Sequence, residues 1–185
     1  MFFKKRKVTD FKRWSEKHNL LSEWDNRTIF MTSLLRPESS ILDIGCGKQI
    51  AKQHLPDNCI YTPLDLVKRS DDTIVHDFNS NKILELQNIY DYSFCSGVVE
   101  YIHDLNIFLE HLCRFSKNIL LSYNSRANSQ IIKERVSLGW MNHLSDRCLL
   151  NLFNSKNLTI TKQDYIHNQL IFLLKVNPSK YLSAK

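Results

Sequence analysis

Ser40-Ile41-Leu42-Asp43-Ile44-Gly45-Cys46-Gly47-Lys48 reads as a buried strand that runs into a tight glycine turn and then a helix. Glycines at such a turn let the backbone pass close to a ligand at the carboxyl end of the strand. Twenty-two positions after Asp43, Asp65 ends a second apolar run, Cys59-Ile60-Tyr61-Thr62-Pro63-Leu64. A carboxylate closing the second strand can accept hydrogen bonds from two ribose hydroxyls, so the pairing suggests a nucleoside-type cofactor site. The dinucleotide fingerprint G-x-G-x-x-G is not met, because Ile50 stands where its third glycine belongs.

Outward from this unit, short apolar runs alternate with helix-period segments. Strands are expected near 40–44, 59–64, 73–76, 92–96, 118–123, 158–165 and 170–176, which makes a doubly wound α/β fold. Asp104 can cap a helix whose Leu105, Phe108, Leu109, Leu112 and Phe115 form one apolar stripe, and Ser145 can cap another carrying Leu149, Leu150, Leu152 and Phe153. His167-Asn168-Gln169 separates the last two strands at the spacing of a hairpin. The final run, Leu170-Ile171-Phe172-Leu173-Leu174, is apolar without alternation, as suits a strand covered on both faces.

Ahead of the first strand, Phe11, Trp14, Leu20, Leu21, Trp24, Met31, Leu34 and Leu35 recur mostly at three- and four-residue steps. That favours one or two amphipathic helices, interrupted at Asn19 and stopped by Pro37. Core packing is the leading reading of Trp24. Residues 1–36 are thus expected to form a basic helical extension, and 37–185 one compact domain.

Tyr90-Asp91-Tyr92-Ser93-Phe94-Cys95-Ser96-Gly97-Val98-Val99-Glu100-Tyr101-Ile102 resembles the fourth-strand motif of class I S-adenosylmethionine-dependent methyltransferases. Asp43-Ile44-Gly45-Cys46-Gly47 resembles their first motif, and Asp65 and Asp77 fall where the second and third lie. Three positions depart from the pattern: Gln49 replaces a frequent glycine, Gly97 a frequent Glu, and Tyr101 the usual His. The resemblance implies a seven-stranded, mostly parallel Rossmann-like sheet closed by a C-terminal antiparallel hairpin, with S-adenosyl-L-methionine as cofactor. It also implies that helices ahead of the first strand pack over the cofactor or substrate side, which makes Arg27 and Trp24 candidate cleft residues.

By that resemblance, Gly45 and Gly47 approach the amino-acid part of the cofactor, and Asp43 acts through water or the cofactor amine. Asp65 binds the ribose hydroxyls. Asp77 and Phe78 take the adenine, one by its amino group and one by its ring, while Ser96, Gly97 and Val98 line the methyl-donor side. Plain structural readings stand beside these: Asp65 as a helix cap or loop carboxylate, and Asp77-Phe78-Asn79-Ser80 as turn chemistry.

Methyl transfer asks the protein mainly to hold nucleophile and methyl carbon about 3–3.5 Å apart in line. Acceptor groups should therefore stand at the carboxyl ends of strands four and five: Glu100, Tyr101 and His103, then Tyr123, Asn124 and Arg126. The loop Gly139-Trp140-Met141-Asn142-His143 joins them. A hydroxyl acceptor wants a base titrating near neutral pH, and His103 and His143 are the candidates, against a surface or capping role for each.

With 185 residues and 43% hydrophobic composition, the chain suits a single globular domain. No apolar stretch is long enough to span a bilayer, and Met1-Phe2-Phe3-Lys4-Lys5-Arg6-Lys7 lacks a secretory signal's apolar centre, so a cytoplasmic protein is expected. Five cysteines without C-x-x-C spacing are expected to be free thiols, and no metal site is expected. The net charge is +6, and residues 1–17 hold seven basic residues against two acidic ones. This head is either a solvated start or a patch for weak peripheral contact with an anionic membrane or a polyanion. A small-molecule or saccharide acceptor is favoured, oxygen slightly over nitrogen. The alternatives are a nucleic-acid-directed methyltransferase, disfavoured because no N-P-P-Y tetrapeptide ends the fourth strand, and a non-catalytic cofactor-binding partner subunit.

Overall fold

The computed structural model describes residues 8–80, 82–126, 132–166 and 168–177. Seven strands appear: β1 (Ser40–Ile44), β2 (Ile60–Asp65), β3 (Ile74–Val75), β4 (Tyr90–Cys95), β5 (Ser116–Tyr123), β6 (Leu158–Ile166) and β7 (Gln169–Val176). They form one sheet in the order β3-β2-β1-β4-β5-β7-β6, parallel from β3 through β5 and antiparallel where β7 meets β5 and β6. Chain order reverses between β1 and β4, and a doubly wound sheet leaves a crevice at such a switch point. Asp43 pairs with Pro63 on one side and Phe94 on the other, so the carboxyl ends of β2, β1 and β4 lie side by side.

Period-two alternation assigns the strand residues to two cores. Leu42, Ile44, Ile119 and Leu121 face α4 (Leu105–Phe115) and α6 (Asp146–Ser155), which contribute Phe108, Leu109, Leu112, Leu149 and Phe153. Ile41, Phe94, Leu120 and Ile171 face the other side, against Met31 of α2 (Asp25–Thr32) and Ala51 of α3 (Ile50–Gln53). Both expected caps form: Asp104 accepts from the Asn106 and Ile107 amides at 2.9 and 3.2 Å, and Ser145 from the Cys148 amide at 3.3 Å.

The N-terminal periodicity yields two short helices rather than long ones. α1 (Phe11–Ser15) is capped by Asp10, single 3-10 turns follow at Lys17–Asn19 and Ser22–Trp24, and only then does α2 begin. Asn19 interrupts the segment as expected, turning its amide back to the Arg13 carbonyl at 2.8 Å. The apolar residues here serve two surfaces, Trp14, Leu20 and Trp24 lining the cavities at the end of the sheet and Met31 and Leu35 joining the second core, so their spacing does not produce one continuous helix.

At the other end, Ile166 pairs with Gln169, and Asn168 has φ +62°, which suits a two-residue hairpin turn. His167, the head Met1–Lys7 and therefore most of the expected membrane- or polyanion-contacting patch lie outside the described residues. A short helix, α5 (Ile132–Ser137), leads into the 138–143 loop. The five cysteines form no disulfide among the described residues, where also no helix is long and apolar enough to cross a membrane.

Candidate functional site

The glycine turn after β1 bends with φ +70° at Gly45, +49° at Gly47 and +57° at Gln49. Glycine adopts this left-handed region freely, whereas Gln49 holds it as an ordinary side chain beside the start of α3. A Cβ on Gly45 would collide with Cγ2 of Val98, so the turn after β1 and the loop after β4 approach too closely for any side chain there. That close approach closes the floor of a cavity at the carboxyl ends of the parallel strands.

Asp65 ties the floor together. Its Oδ2 accepts from the Gly47 amide at 2.9 Å, and its Oδ1 accepts from the Val67 amide at 3.0 Å and pairs with Arg69 Nη2 at 3.3 Å. The same Arg69 nitrogen donates to the Trp14 carbonyl at 2.7 Å. Asp77 Oδ1 accepts from the Thr9 hydroxyl and the Asn79 amide, both at 2.8 Å, while its second oxygen has no hydrogen bond among the described residues. Phe78 stands beside it, edge-on to His76 and Phe108 at 4.8 and 4.9 Å. Thus both the loop-chemistry and the ligand-facing readings of these two acids have a physical basis: each closes a turn, and each lines the cavity.

On the β4 side, Ser96 Oγ meets Arg27 Nε at 3.0 Å and Thr28 Oγ1 at 2.8 Å, and the Gly97 amide donates to Ser122 Oγ at 2.8 Å. Asp43 borders a smaller adjoining cavity behind the glycine turn. It is 4% exposed and accepts from the Tyr61 hydroxyl at 2.6 Å. Burial, opposed by that hydrogen bond and reinforced by Asp65, pushes its carboxyl up to about 7.

The structure thus brings Gly45, Gly47, Asp65, Asp77, Phe78, Ser96, Gly97 and Val98 to one cavity and Asp43 to its neighbour. His103 and His143 line neither. The His103 amide donates to Asn79 Oδ1 at 2.7 Å, and His143 Nδ1 accepts from Arg135 Nε at 3.3 Å. The histidine that does line the main cavity is His76, whose charged form is disfavoured first by burial and then by His111.

Of the acceptor-side candidates, Tyr101, Gly139 and Met141 reach the cavity. Glu100, Tyr123 and Asn124 are buried, at 1%, 0% and 8% exposure, where they hold loops in place. Glu100 Oε1 accepts from the Asn124 amide at 2.6 Å, and burial pushes the Glu100 carboxyl up. Tyr123 donates to Asn142 at 2.6 Å, and Asn142 in turn caps the Val99 and Ile102 carbonyls. Arg126 is exposed, its amide bonded to the Leu144 carbonyl at 2.9 Å.

The N-terminal segment supplies the roof. Trp14 meets Tyr101 edge to face at 4.7 Å and Trp24 at 6.4 Å, and Arg13 donates to the Leu138 carbonyl at 2.9 Å. Trp24 and Arg27 both line the cavities, so the cleft reading of Trp24 holds over the core reading. Sequence reasoning missed Thr9, Arg13, Arg69 and His76. Arg69 had one available signal, its position four residues after Asp65.

These residues fit a nucleoside carrying an amino-acid tail. The spare oxygen of Asp77 can accept from an exocyclic amine beside the Phe78 ring, and the glycine turn leaves backbone open to the tail. A carboxylate offers about four acceptor sites, so Asp65, with three donors already, keeps about one for a hydroxyl.

Comparison with known proteins agrees. A family model described as "Methyltransferase domain" matches residues 8–163. No curated protein matches the chain significantly. Among solved structures, a chain of the complex between the Haloferax volcanii Trm112 methyltransferase activator and a methyltransferase is 16% identical, with TM-score 0.65 over 91% of this chain and 98% of that one. The Burkholderia thailandensis 1,6-didemethyltoxoflavin-N1-methyltransferase, solved with its acceptor and S-adenosylhomocysteine, is 14% identical, with TM-score 0.66 over 88% and 84%. A Thermotoga maritima S-adenosylmethionine-dependent methyltransferase is 12% identical, with TM-score 0.61 over 91% and 95%. At such identities the structural likeness is one of fold. Family match and fold together establish that the chain belongs to the methyltransferase-domain family, with the sheet of the class I S-adenosylmethionine-dependent methyltransferases.

Proposed function

We propose that the protein transfers a methyl group from S-adenosylmethionine to a small-molecule or saccharide acceptor, with oxygen slightly favoured over nitrogen. The observation that carries this reading is the convergence of Gly45, Gly47, Asp65, Asp77, Phe78 and Val98 on one cavity wall at the carboxyl ends of the strands. The cofactor supplies an electrophilic methyl group on a sulfonium sulfur. Asp77 and Phe78 would hold its adenine, Asp65 its ribose, and the glycine turn its tail. Trp14, Tyr101 and Met141 would then position the acceptor and keep water out, so that proximity and alignment do most of the work.

An aromatic roof closing from the N-terminal side suits an acceptor that enters whole, a small molecule or a sugar unit, better than a duplex. The toxoflavin enzyme, whose structure holds a small acceptor, is consistent with that choice. Calorimetric titration with S-adenosylhomocysteine tests the cofactor half of the reading, and absence of any heat overturns it. A methyl-transfer screen of small molecules and sugars then tests the acceptor half.

A second reading has one specific support. The Haloferax methyltransferase was solved with an activator protein, and dependence on such a partner would show as cofactor binding without turnover by the isolated chain.

A further inference from the structure

Arg69, four residues past the carboxylate that ends β2, lines the main cavity with a side chain only 8% exposed. Its Nη2 is shared between Asp65 Oδ1 at 3.3 Å and the Trp14 carbonyl at 2.7 Å, and its Nε is buried without a hydrogen bond among the described residues. One guanidinium nitrogen thus joins the acid proposed for the ribose to the segment that roofs the cavity.

That segment is held by its edges. No residue from 8 to 24 is buried, so the roof rests on side-chain contacts at separate points: Thr9 donates to Asp77 at 2.8 Å, Arg13 to the Leu138 carbonyl at 2.9 Å, and Trp14 meets Tyr101 edge to face. A segment with so little buried surface opens locally at far less free energy than global unfolding costs. The bond from Arg69 to Trp14 is shorter than either of the other two hydrogen bonds, and its donor is charged and largely desolvated.

Acceptor capacity at Asp65 decides what a nucleoside does to this tie. A carboxylate has about four acceptor sites, and the Gly47 amide, the Val67 amide and Arg69 take three of them. A ribose brings two hydroxyl donors, one more than the remaining site can serve. The two amides belong to the backbone at 2.9 and 3.0 Å, whereas the Arg69 contact is the longest and Arg69 alone has a second partner to turn to. Arg69 is therefore the donor that yields. Without the nucleoside, an opening roof leaves the guanidinium paired with Asp65. With ribose on Asp65, the same opening strands a buried cation, which is costly.

We propose that Arg69 is a positioning residue that couples the two ends of the cavity: ribose hydroxyls on Asp65 turn its guanidinium wholly to the Trp14 carbonyl, and the roof is held shut with Trp14 against Tyr101. The proposal rests on the cofactor reading above. Donor binding at one end thereby builds the acceptor wall at the other.

Hydrogen exchange on the full chain, read by mass spectrometry over residues 11–24 with calorimetry confirming that each ligand is bound, tests the coupling. S-adenosylhomocysteine is expected to slow exchange of that segment in wild type by about tenfold, the effect of one charge-assisted hydrogen bond. Its 2′,3′-dideoxy analogue, which lacks both hydroxyls, should at saturation slow it by less than about twofold. Arg69→Met should still bind S-adenosylhomocysteine and keep the slow exchange of β4 and β5, yet lose the slowing in the roof, with Arg69→Lys restoring part of it. Equal slowing by both ligands, or undiminished slowing in Arg69→Met, shows that a ligand protects the roof by packing under it and overturns the proposal. Bound S-adenosylhomocysteine with no slowing in wild type overturns it too. The two ligands on wild type decide the matter if Arg69→Met does not fold, and the variants decide it if the analogue does not bind. Wild type that gives no heat with S-adenosylhomocysteine overturns the cofactor reading, and this proposal with it.

Discussion

At the end of the cavity proposed for the nucleoside, the wall is made by residues within a few positions of a strand terminus: Gly45 and Gly47 after β1, Asp65 closing β2, Asp77 and Phe78 after β3. At the end proposed for the acceptor, Trp14, Tyr101 and Met141 come from three segments far apart in the chain. The first end is positioned by backbone pairing, since Gly45 and Cys46 donate to the Leu64 carbonyl at 2.8 and 3.1 Å and carry the β1–β2 ladder into the turn. The second is positioned by side chains meeting one another, as in the Trp14–Tyr101 contact at 4.7 Å. A wall set by strand register tolerates little change, whereas one set by side-chain contacts can be remade.

Two glycine substitutions should separate the ends most strongly. Gly45→Ala combines a left-handed backbone with a collision against Val98, and is expected to cost roughly 3–5 kcal/mol in urea unfolding. Gly139→Ala also sits at positive φ, but its Cβ would meet the end of the flexible Arg13 side chain at 3.1 Å, so about 1–2 kcal/mol is expected. Equal costs would erase the contrast.

Asp43 provides a pH test of the nucleoside end. Its folded carboxyl, pushed up to about 7 by burial, keeps a proton that the unfolded chain releases near its ordinary value of about 3.9. Stability should therefore fall as pH rises from about 4 to about 7, by on the order of 4 kcal/mol at pH 8, through this group. Asp43→Asn, measured by unfolding across that range, should flatten the fall.

Smaller in free energy is Asp65→Ala, expected to weaken S-adenosylhomocysteine binding by roughly 1–3 kcal/mol. Unchanged affinity would take Asp65 out of the site and leave it a turn residue. Smallest are His103→Ala and His143→Ala, expected to keep turnover of an identified acceptor within about twofold. A general base contributes about 10²–10⁴, so a hundredfold loss in either would return that histidine to the chemistry and show that the acceptor end rearranges.

Much of the fold was legible because its signals are local. Alternation, caps and turns specified the seven strands to within about two residues at each end, and Asp104 and Ser145 cap the helices expected of them. That the residues proposed for the nucleoside would meet at the strand ends was legible for the same reason. The roof was not, because a helical spacing of apolar residues does not say which surface they cover, and the 8–35 segment breaks into turns to meet the rim. Nor could spacing show that Glu100 and Tyr123 face inward while Tyr101 faces the cavity, since that depends on the 3-10 turn Val99–Tyr101.

The strand order carries a consequence for how the molecule is made. β7 lies between β5 and β6, with its residues Leu170–Leu174 paired on both sides, so during synthesis the long β5 edge stays open until β7 has left the ribosome. Until then β6 has no partner, and both present exposed peptide groups of the kind that invite pairing between molecules. Nascent chains halted before residue 169 should accordingly be much more prone to aggregate than chains released with that strand in place.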